Sequence, residues 1–291
     1  MGLMILFLVW ALALTAVRSN QKCHENLGAC DKEFPCCATT GWCGKSFQHC
    51  SSLCFQPGNF PGVDCMADPQ CESKDYLLSS ENVLPESKYT GNYTSTDFTI
   101  IGDYEIKDDA VVLKMSKPNA GSTLHSTRYM QYGRVSAKIK TSRTGGVVSS
   151  FILVARDKDE IDFEWVGSNV KETQTNWFFK GKFPVWPKNN NQNFPTKDTH
   201  AGFSEYTINW TPTQIQWIID GKVIRTLLKA DPQYPTSPAQ ISFGIWDGGS
   251  NEEGTRNWAG GQIDWNSQDM KTQGYFDVHI KDIQVECYKT L

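Results

Sequence analysis

Three acids, Glu160, Asp162 and Glu164, stand in the run Asp159-Glu-Ile-Asp-Phe-Glu-Trp-Val166, separated by single apolar or aromatic residues. Successive side chains of an extended strand point to opposite faces, so the three carboxyls share one face and Ile161, Phe163 and Trp165 share the other. Like charges along one face repel and add nothing to a sheet. A solvated acidic edge strand would not set them against so uniformly apolar a reverse side. Two carboxyls flanking a sugar linkage can act as nucleophile and as acid/base through a covalent glycosyl-enzyme. A third between them can hydrogen-bond the nucleophile and hold the outer pair in opposite protonation states, because close carboxyls drive each other's pKa apart.

That chemistry constrains the fold. Positions four apart on a flat strand lie roughly 13 Å apart at Cα, whereas a retaining pair works at about 5–5.5 Å between carboxyls. The spacing therefore predicts a curved sheet. Short alternating segments suitable for one run through residues 98–106, 111–115, 133–141, 147–155, 160–166, 173–179, 206–210, 214–219, 223–228, 240–245 and 276–286. Asp220-Gly221 supplies the positive φ of a tight hairpin turn. No segment carries a useful helical stripe, and no internal repeat is visible. The chain after residue 72 thus reads as all-β, a curved two-sheet β-jelly-roll sandwich of the concanavalin-like kind. Residues 180–198 form a long polar loop with Phe183, Trp186 and Phe194, either a functional lip or a surface insertion.

The chain of 291 residues carries a formal net charge of -4, with basic residues scattered, which gives no electrostatic case for nucleic acid. Residues 1–19 read as a secretory signal, with an uncleaved anchor as the alternative, and no other stretch is apolar enough to span a membrane. The end at Cys287-Tyr-Lys-Thr-Leu291 lacks the hydrophobic tail of a GPI signal. Nine of the ten cysteines lie between Cys23 and Cys71, the pattern of a disulfide framework in an oxidising compartment, which sets residues 20–72 apart from 73–291. Their spacings do not match zinc knuckles, so no metal and no cofactor is called for. Asn92-Tyr-Thr94 and Asn209-Trp-Thr211 are glycosylation sequons, the second in a strand-like segment. The expected protein is secreted, extracellular or wall-bound, and monomeric.

Glu160-Ile-Asp162-Phe-Glu164 is similar to the E-x-D-x-E signature of glycoside hydrolase family 16, β-jelly-roll retaining enzymes. The wider context resembles one branch, the fungal Crh-type cell-wall transglycosylases that join chitin to β-glucan. The stretches that carry this likeness are 127–142, 146–152, 159–167, Thr173-Gln-Thr-Asn-Trp177 and Trp258-Ala-Gly-Gly-Gln-Ile-Asp-Trp265. The resemblance implies Glu160 as nucleophile, Asp162 as assisting acid and Glu164 as general acid/base. It implies Gln174 and Asn176 as polar groups near the cleft, and Trp246 and Trp258 as aromatics lining it. Sugars pack C–H faces on aromatic rings. Trp177, Trp186, Trp246, Trp258 and Trp265 offer more indole than a core needs, and Trp177 joins the expected sugar-binding set.

Cys23, Cys30, Cys36, Cys37, Cys43, Cys50 and Cys54 resemble the framework of a hevein-type chitin-binding module, with Gly41-Trp42-Cys43-Gly44 as its most recognisable part. That resemblance implies the pairs Cys23–Cys37, Cys30–Cys43 and Cys36–Cys50. Cys54, Cys65, Cys71 and Cys287 stay open among three connectivities, and a bond from the N-terminal region to Cys287 would staple the two domains together. Such modules present a serine and three aromatics, whereas the matching positions hold Ala38, Thr40, Trp42 and His49. Only Trp42 remains as a binding residue, with Phe47 as a substitute, and a purely structural disulfide knob is the alternative. The function these residues imply is cleavage of chitin and transfer to β-glucan or chitin acceptors, with plain endo-hydrolysis as the alternative. A lectin or a structural wall protein on the same sandwich would not need three intact acids.

Overall fold

The computed structural model describes residues 21–288 apart from 24–26, 39, 52–53, 184–191 and 230–232. The signal reading at 1–19 and Trp186 lie outside the described residues. The chain divides into two compact units, Met1–Ala67 and Asp68–Leu291, a boundary slightly before the change in composition at residue 72.

The first unit is built on sulfur rather than on a core. Strands β1 (Cys36–Cys37) and β2 (Cys43–Gly44) pair antiparallel, and a single helical turn, α1 (Phe47–Cys50), follows. Disulfides join Cys23–Cys37, Cys30–Cys43, Cys36–Cys50 and Cys54–Cys65. Gly44 is required where it stands, because a Cβ there would sit 2.2 Å from the His49 ring. A small domain with so little apolar burial depends on such staples.

The second unit runs β3 (Lys74–Tyr76), β4 (Val83–Pro85), β5 (Phe98–Ile101), β6 (Asp103–Lys107), β7 (Ala110–Met115), β8 (Gly121–Met130), β9 (Gly133–Lys140), β10 (Val147–Ala155), β11 (Glu160–Val166), β12 (Glu172–Phe178), β13 (Gln192–Pro195), β14 (Ser204–Trp210), β15 (Gln214–Ile219), β16 (Lys222–Leu228) and β17 (Ala239–Asp247). Two short helices, α2 (Glu253–Trp258) and α3 (Gln268–Gln273), precede β18 (Phe276–Cys287). One sheet has the order β13-β12-β11-β10-β17-β8-β5-β4, the other β16-β15-β14-β9-β18-β7-β6, with β3 added beside β18. The two pack face to face as a jelly-roll sandwich whose interior includes Phe151, Phe163, Trp165, Tyr206, Trp217 and Phe243.

Register slips bend both sheets, between Gln240 and Ser242 against β8 and between Lys281 and Gln284 on β18 against β9. A slipped register adds twist and lets a flat sheet curve. The hairpin at Asp220-Gly221 has φ of 46° and 77°, the two positive values of a type I′ turn. Cys71–Cys287 closes a loop spanning 216 residues inside the second unit, so it staples that unit to itself and not to the cysteine-rich one.

Candidate active site

Strand β11 lies in the middle of the first sheet, and its alternation is strict. Ile161, Phe163 and Trp165 are at most 1% exposed and belong to the core. Glu160 and Glu164 are half-buried on the outer face, and Asp162 is fully buried between them. Cross-strand register sets Phe178, Asn176 and Gln174 of β12 beside Glu160, Asp162 and Glu164 respectively. On the other flank stand Val154, Ile152 and Ser150 of β10. Beyond Ser150 comes Gly244 of β17, where a Cβ would sit 2.8 Å from the Ser150 Oγ. Small residues thus keep the surface beside Glu164 low.

The face is hollowed into an open cavity of about 360 Å³ lined by Glu160, Glu164, Asn176, Phe178, Phe183, Trp246, Gly254, Thr255 and Trp258. Trp246 extends the β17 row, and Trp258 closes α2 above it. Their rings stack at 5.9 Å with an interplanar angle of 23°. The Trp258 indole Nε1 donates to Gln174 Oε1 at 2.7 Å. Helix α2 is held to the sheet through glycine contacts. Gly146 N donates to Ala259 O at 2.7 Å, and Gly248 N and Gly249 N donate to Gly146 O. At Gly146, with φ 83°, a Cβ would meet Gly261 O at 2.7 Å, so a side chain there would lift Trp258 away. At another part of the cavity wall Phe178 and Phe183 pack at 4.6 Å.

The electrostatics separate the three acids. Burial, helped by the Glu160 charge, pushes the Glu164 carboxyl up to about 8. Burial raises Asp162 well above the usual carboxylate range, and the charges of Glu160 and Glu164 push the same way, against a smaller opposing pull from Arg225. Glu160 is also raised by burial but held back by its hydrogen bond with Asp162. Among the described residues no N–H or hydroxyl donor bonds either Asp162 oxygen. A buried carboxylate without donors is strongly disfavoured, which favours a protonated Asp162 able to donate to Glu160. The Glu164 carboxyl, at about 8, thus keeps its proton near neutral pH, and Glu160 is the acid whose rise is held back by the hydrogen bond from Asp162.

Gln174, Asn176, Trp246 and Trp258 all reach this site. Trp177 does not. It is 1% exposed within the core, because alternation turns it away from Asn176, and its assignment to the sugar-binding set is corrected. Trp265 likewise packs on the core, edge-on to Phe276 at 5.3 Å. Phe178 and Thr255 escaped the sequence reading. Phe178 was within reach, since it continues the Gln174–Asn176 alternation by one step. Asp159 was also missed; it is buried and accepts from Lys180 N (3.0 Å) and Thr236 N (2.9 Å), fixing the two loops beside Glu160.

In the first unit Trp42 is 40% exposed with Lys22 Nζ 5.2 Å above its ring, and Phe47 is half-buried. Asn92 is exposed, its Oδ1 accepting from Thr94. Asn209 is half-buried near the end of β14, its Nδ2 donating to Gln216 and its Oδ1 accepting from Tyr288. Among the described residues no helix is long and apolar enough to cross a membrane.

Comparison with known proteins agrees with this geometry. The chain is 38% identical over 89% of its length to Crh-like protein 3 of Botryotinia fuckeliana, covering 60% of that protein. It is 36% identical over 96% of its length to Crh-like protein 2 of Aspergillus fumigatus, covering 65% of it. The chain thus spans about two thirds or less of these curated relatives. Among solved structures, Crh5 transglycosylase in complex with NAG superposes with a TM-score of 0.61 at 28% identity, over 77% of this chain and 92% of that one. A Bacillus licheniformis β-glucanase shares the fold at a TM-score of 0.54 and 18% identity, over 77% of this chain and 91% of that one. The family model for glycosyl hydrolases family 16 matches residues 92–267, a span that holds the three acids and both cleft tryptophans, and the chain belongs to that family.

Proposed function

We propose that this protein is a retaining glycosidase acting as a transglycosylase, which cleaves chitin and joins the fragment to β-glucan or chitin acceptors in a fungal cell wall. The observation that carries this reading is the pairing, in one open cavity, of Glu160, whose rise in pKa is held back by Asp162, with a Glu164 that burial pushes up to about 8. The Glu160 carboxylate attacks the anomeric carbon while Glu164 gives its proton to the departing glycosidic oxygen. Asp162 steadies Glu160 from the side by its hydrogen bond. Glu164, now a carboxylate, then takes the proton of an acceptor hydroxyl as that oxygen attacks the same carbon and frees Glu160. Trp246 and Trp258 give the sugar chain a stacking surface. The Crh names of the relatives, and a transglycosylase solved with NAG, support chitin as donor and transfer over hydrolysis. Residues 1–19 then serve as a secretory signal, Asn92 as a glycan acceptor, and the cysteine-rich unit as a chitin-binding module using Trp42 and Phe47.

The test is incubation with chitin and a fluorescent chito- or gluco-oligosaccharide. Labelled products longer than the acceptor are expected, and Glu160→Gln abolishes them while keeping the native circular dichroism. Shorter reducing fragments alone would make the protein a hydrolase. Wild-type turnover by Glu160→Gln would remove the assignment of the nucleophile.

A further inference from the structure

Beneath the acids, on the core side of the sheet, lies a group that the chemistry above does not use. Arg225 stands on β16, at the edge of the second sheet, and is 7% exposed; among the described residues no other Lys or Arg is buried. Burying a guanidinium is expensive unless its donors are matched and a negative charge lies near. Its Nη1 donates to the Thr175 carbonyl (2.9 Å) and to Thr175 Oγ1 (3.0 Å) on β12, across the sandwich. The guanidinium also lies 4.6 Å from the ring centre of Trp217, its register partner on β15. Trp217 in turn donates from Nε1 to the Asp162 carbonyl at 2.9 Å. Thr175 pairs with Phe163, the residue between Asp162 and Glu164. One cation thus touches both elements that support the central acid from below.

We propose that Arg225 is a positioning residue of the acidic site, setting the height of β11 through Trp217 and Thr175 and supplying the positive charge that offsets the carboxylate charge above it. This rests on reading the three acids as the reacting groups. Among the described residues the charged group acting on Arg225 is Asp162, whose own neighbours are Glu160 and Glu164; Thr175 and Trp217 carry no charge. Burial lowers the Arg225 pKa to about 10, so it remains a cation throughout the working range. Without that charge, the carboxylate shared by Glu160 and Asp162 forms at higher pH. A purely mechanical pin would leave the ionisation where it was.

Two neutral replacements, Arg225→Met and Arg225→Gln, are compared with Thr175→Val, which removes one bond and keeps the cation. The first readout is the acid limb of kcat/KM for the transfer reaction. The second is carboxyl titration by 13C NMR, which needs no turnover and so separates failure of this inference from failure of the proposed activity. Both neutral variants should move the acid limb and the first carboxyl titration upward by about half a pH unit or more, roughly a threefold loss of rate on that limb. Thr175→Val should leave both in place. If the Met variant does not fold, the Gln variant, which keeps a donor for Thr175, carries the test. A loss of rate equal at every pH, or an unmoved titration, would reduce Arg225 to a structural pin and overturn the inference.

Discussion

Replacing Glu164 by Gln tests the electrostatics of the site without any substrate. Burial and the Glu160 charge lift this carboxyl from 4.5 to about 8. A carboxyl raised on folding contributes stability that is complete below its unfolded value and is lost as pH climbs through its folded one. At about 1.4 kcal/mol per pH unit, the full rise would amount to about 5 kcal/mol. Solvent reaches the group through the cavity and screens it, so about 2–3 kcal/mol is the working figure. Gln has the same shape and no proton to lose. Wild type and Glu164→Gln should therefore unfold in guanidinium with nearly equal free energies at about pH 4.5. At about pH 9 the variant should be the more stable by about 2–3 kcal/mol. A stability gap that does not change between those pH values would refute the buried, protonated acid on which the mechanism turns.

The remaining expectations are simpler. Trp258→Phe keeps a ring but loses the indole bond to Gln174, and should raise KM about fivefold with little effect on unfolding, as oligosaccharide titration kinetics would show. Trp177→Ala should do the reverse, costing about 3–5 kcal/mol in a denaturant melt through its core cavity. Removing the Cys71–Cys287 bond by a double Ser substitution should lower unfolding free energy by about 2–5 kcal/mol, measured in guanidinium, because it opens so long a loop. Asp162→Asn, which replaces the carboxyl O–H donor to Glu160 by a weaker amide N–H that cannot titrate with it, should cut kcat at least about a hundredfold while KM stays near wild type.

The site was legible because β11 has its chemistry on one face and its core on the other, and a period of two separates them without ambiguity. The same rule, applied one strand further, would have excluded Trp177 and found Phe178. Strand β8 was not legible. Its ten residues include Ser122, Thr123, His125, Ser126 and Thr127, which do not alternate with apolar ones. Ser122 instead bonds the Asp103 and Lys114 carbonyls, and Ser126 takes the Ile241 N–H where the register slips. The 98–106 segment reads as one strand but breaks at Gly102, φ 89°, where a Cβ would lie 2.3 Å from the Gly121 carbonyl. Arg225 was invisible for a related reason. Its partners among the described residues are the carbonyl and hydroxyl of Thr175 and the indole of Trp217, all on other strands, and nothing in Lys222–Leu228 announces them.

On the proposed chemistry, the balance between transfer and hydrolysis depends on what fills the acceptor side of the cavity while the glycosyl group sits on Glu160. The aromatic groups are divided between two places. Phe178 is the register partner of Glu160, whereas Trp258 is tied through Gln174 to the row of Glu164. A sugar stacked beside Glu164 presents its hydroxyl to the carboxylate that must accept the proton, and it displaces water from the same position. A sugar beside Glu160 stays attached to the nucleophile. Stacking surfaces near both acids favour a chain on each side of the reacting carbon at once, which is the arrangement transfer requires and simple hydrolysis does not. The stacked tryptophan pair, more than the acids themselves, is therefore the part of the site that separates the two outcomes.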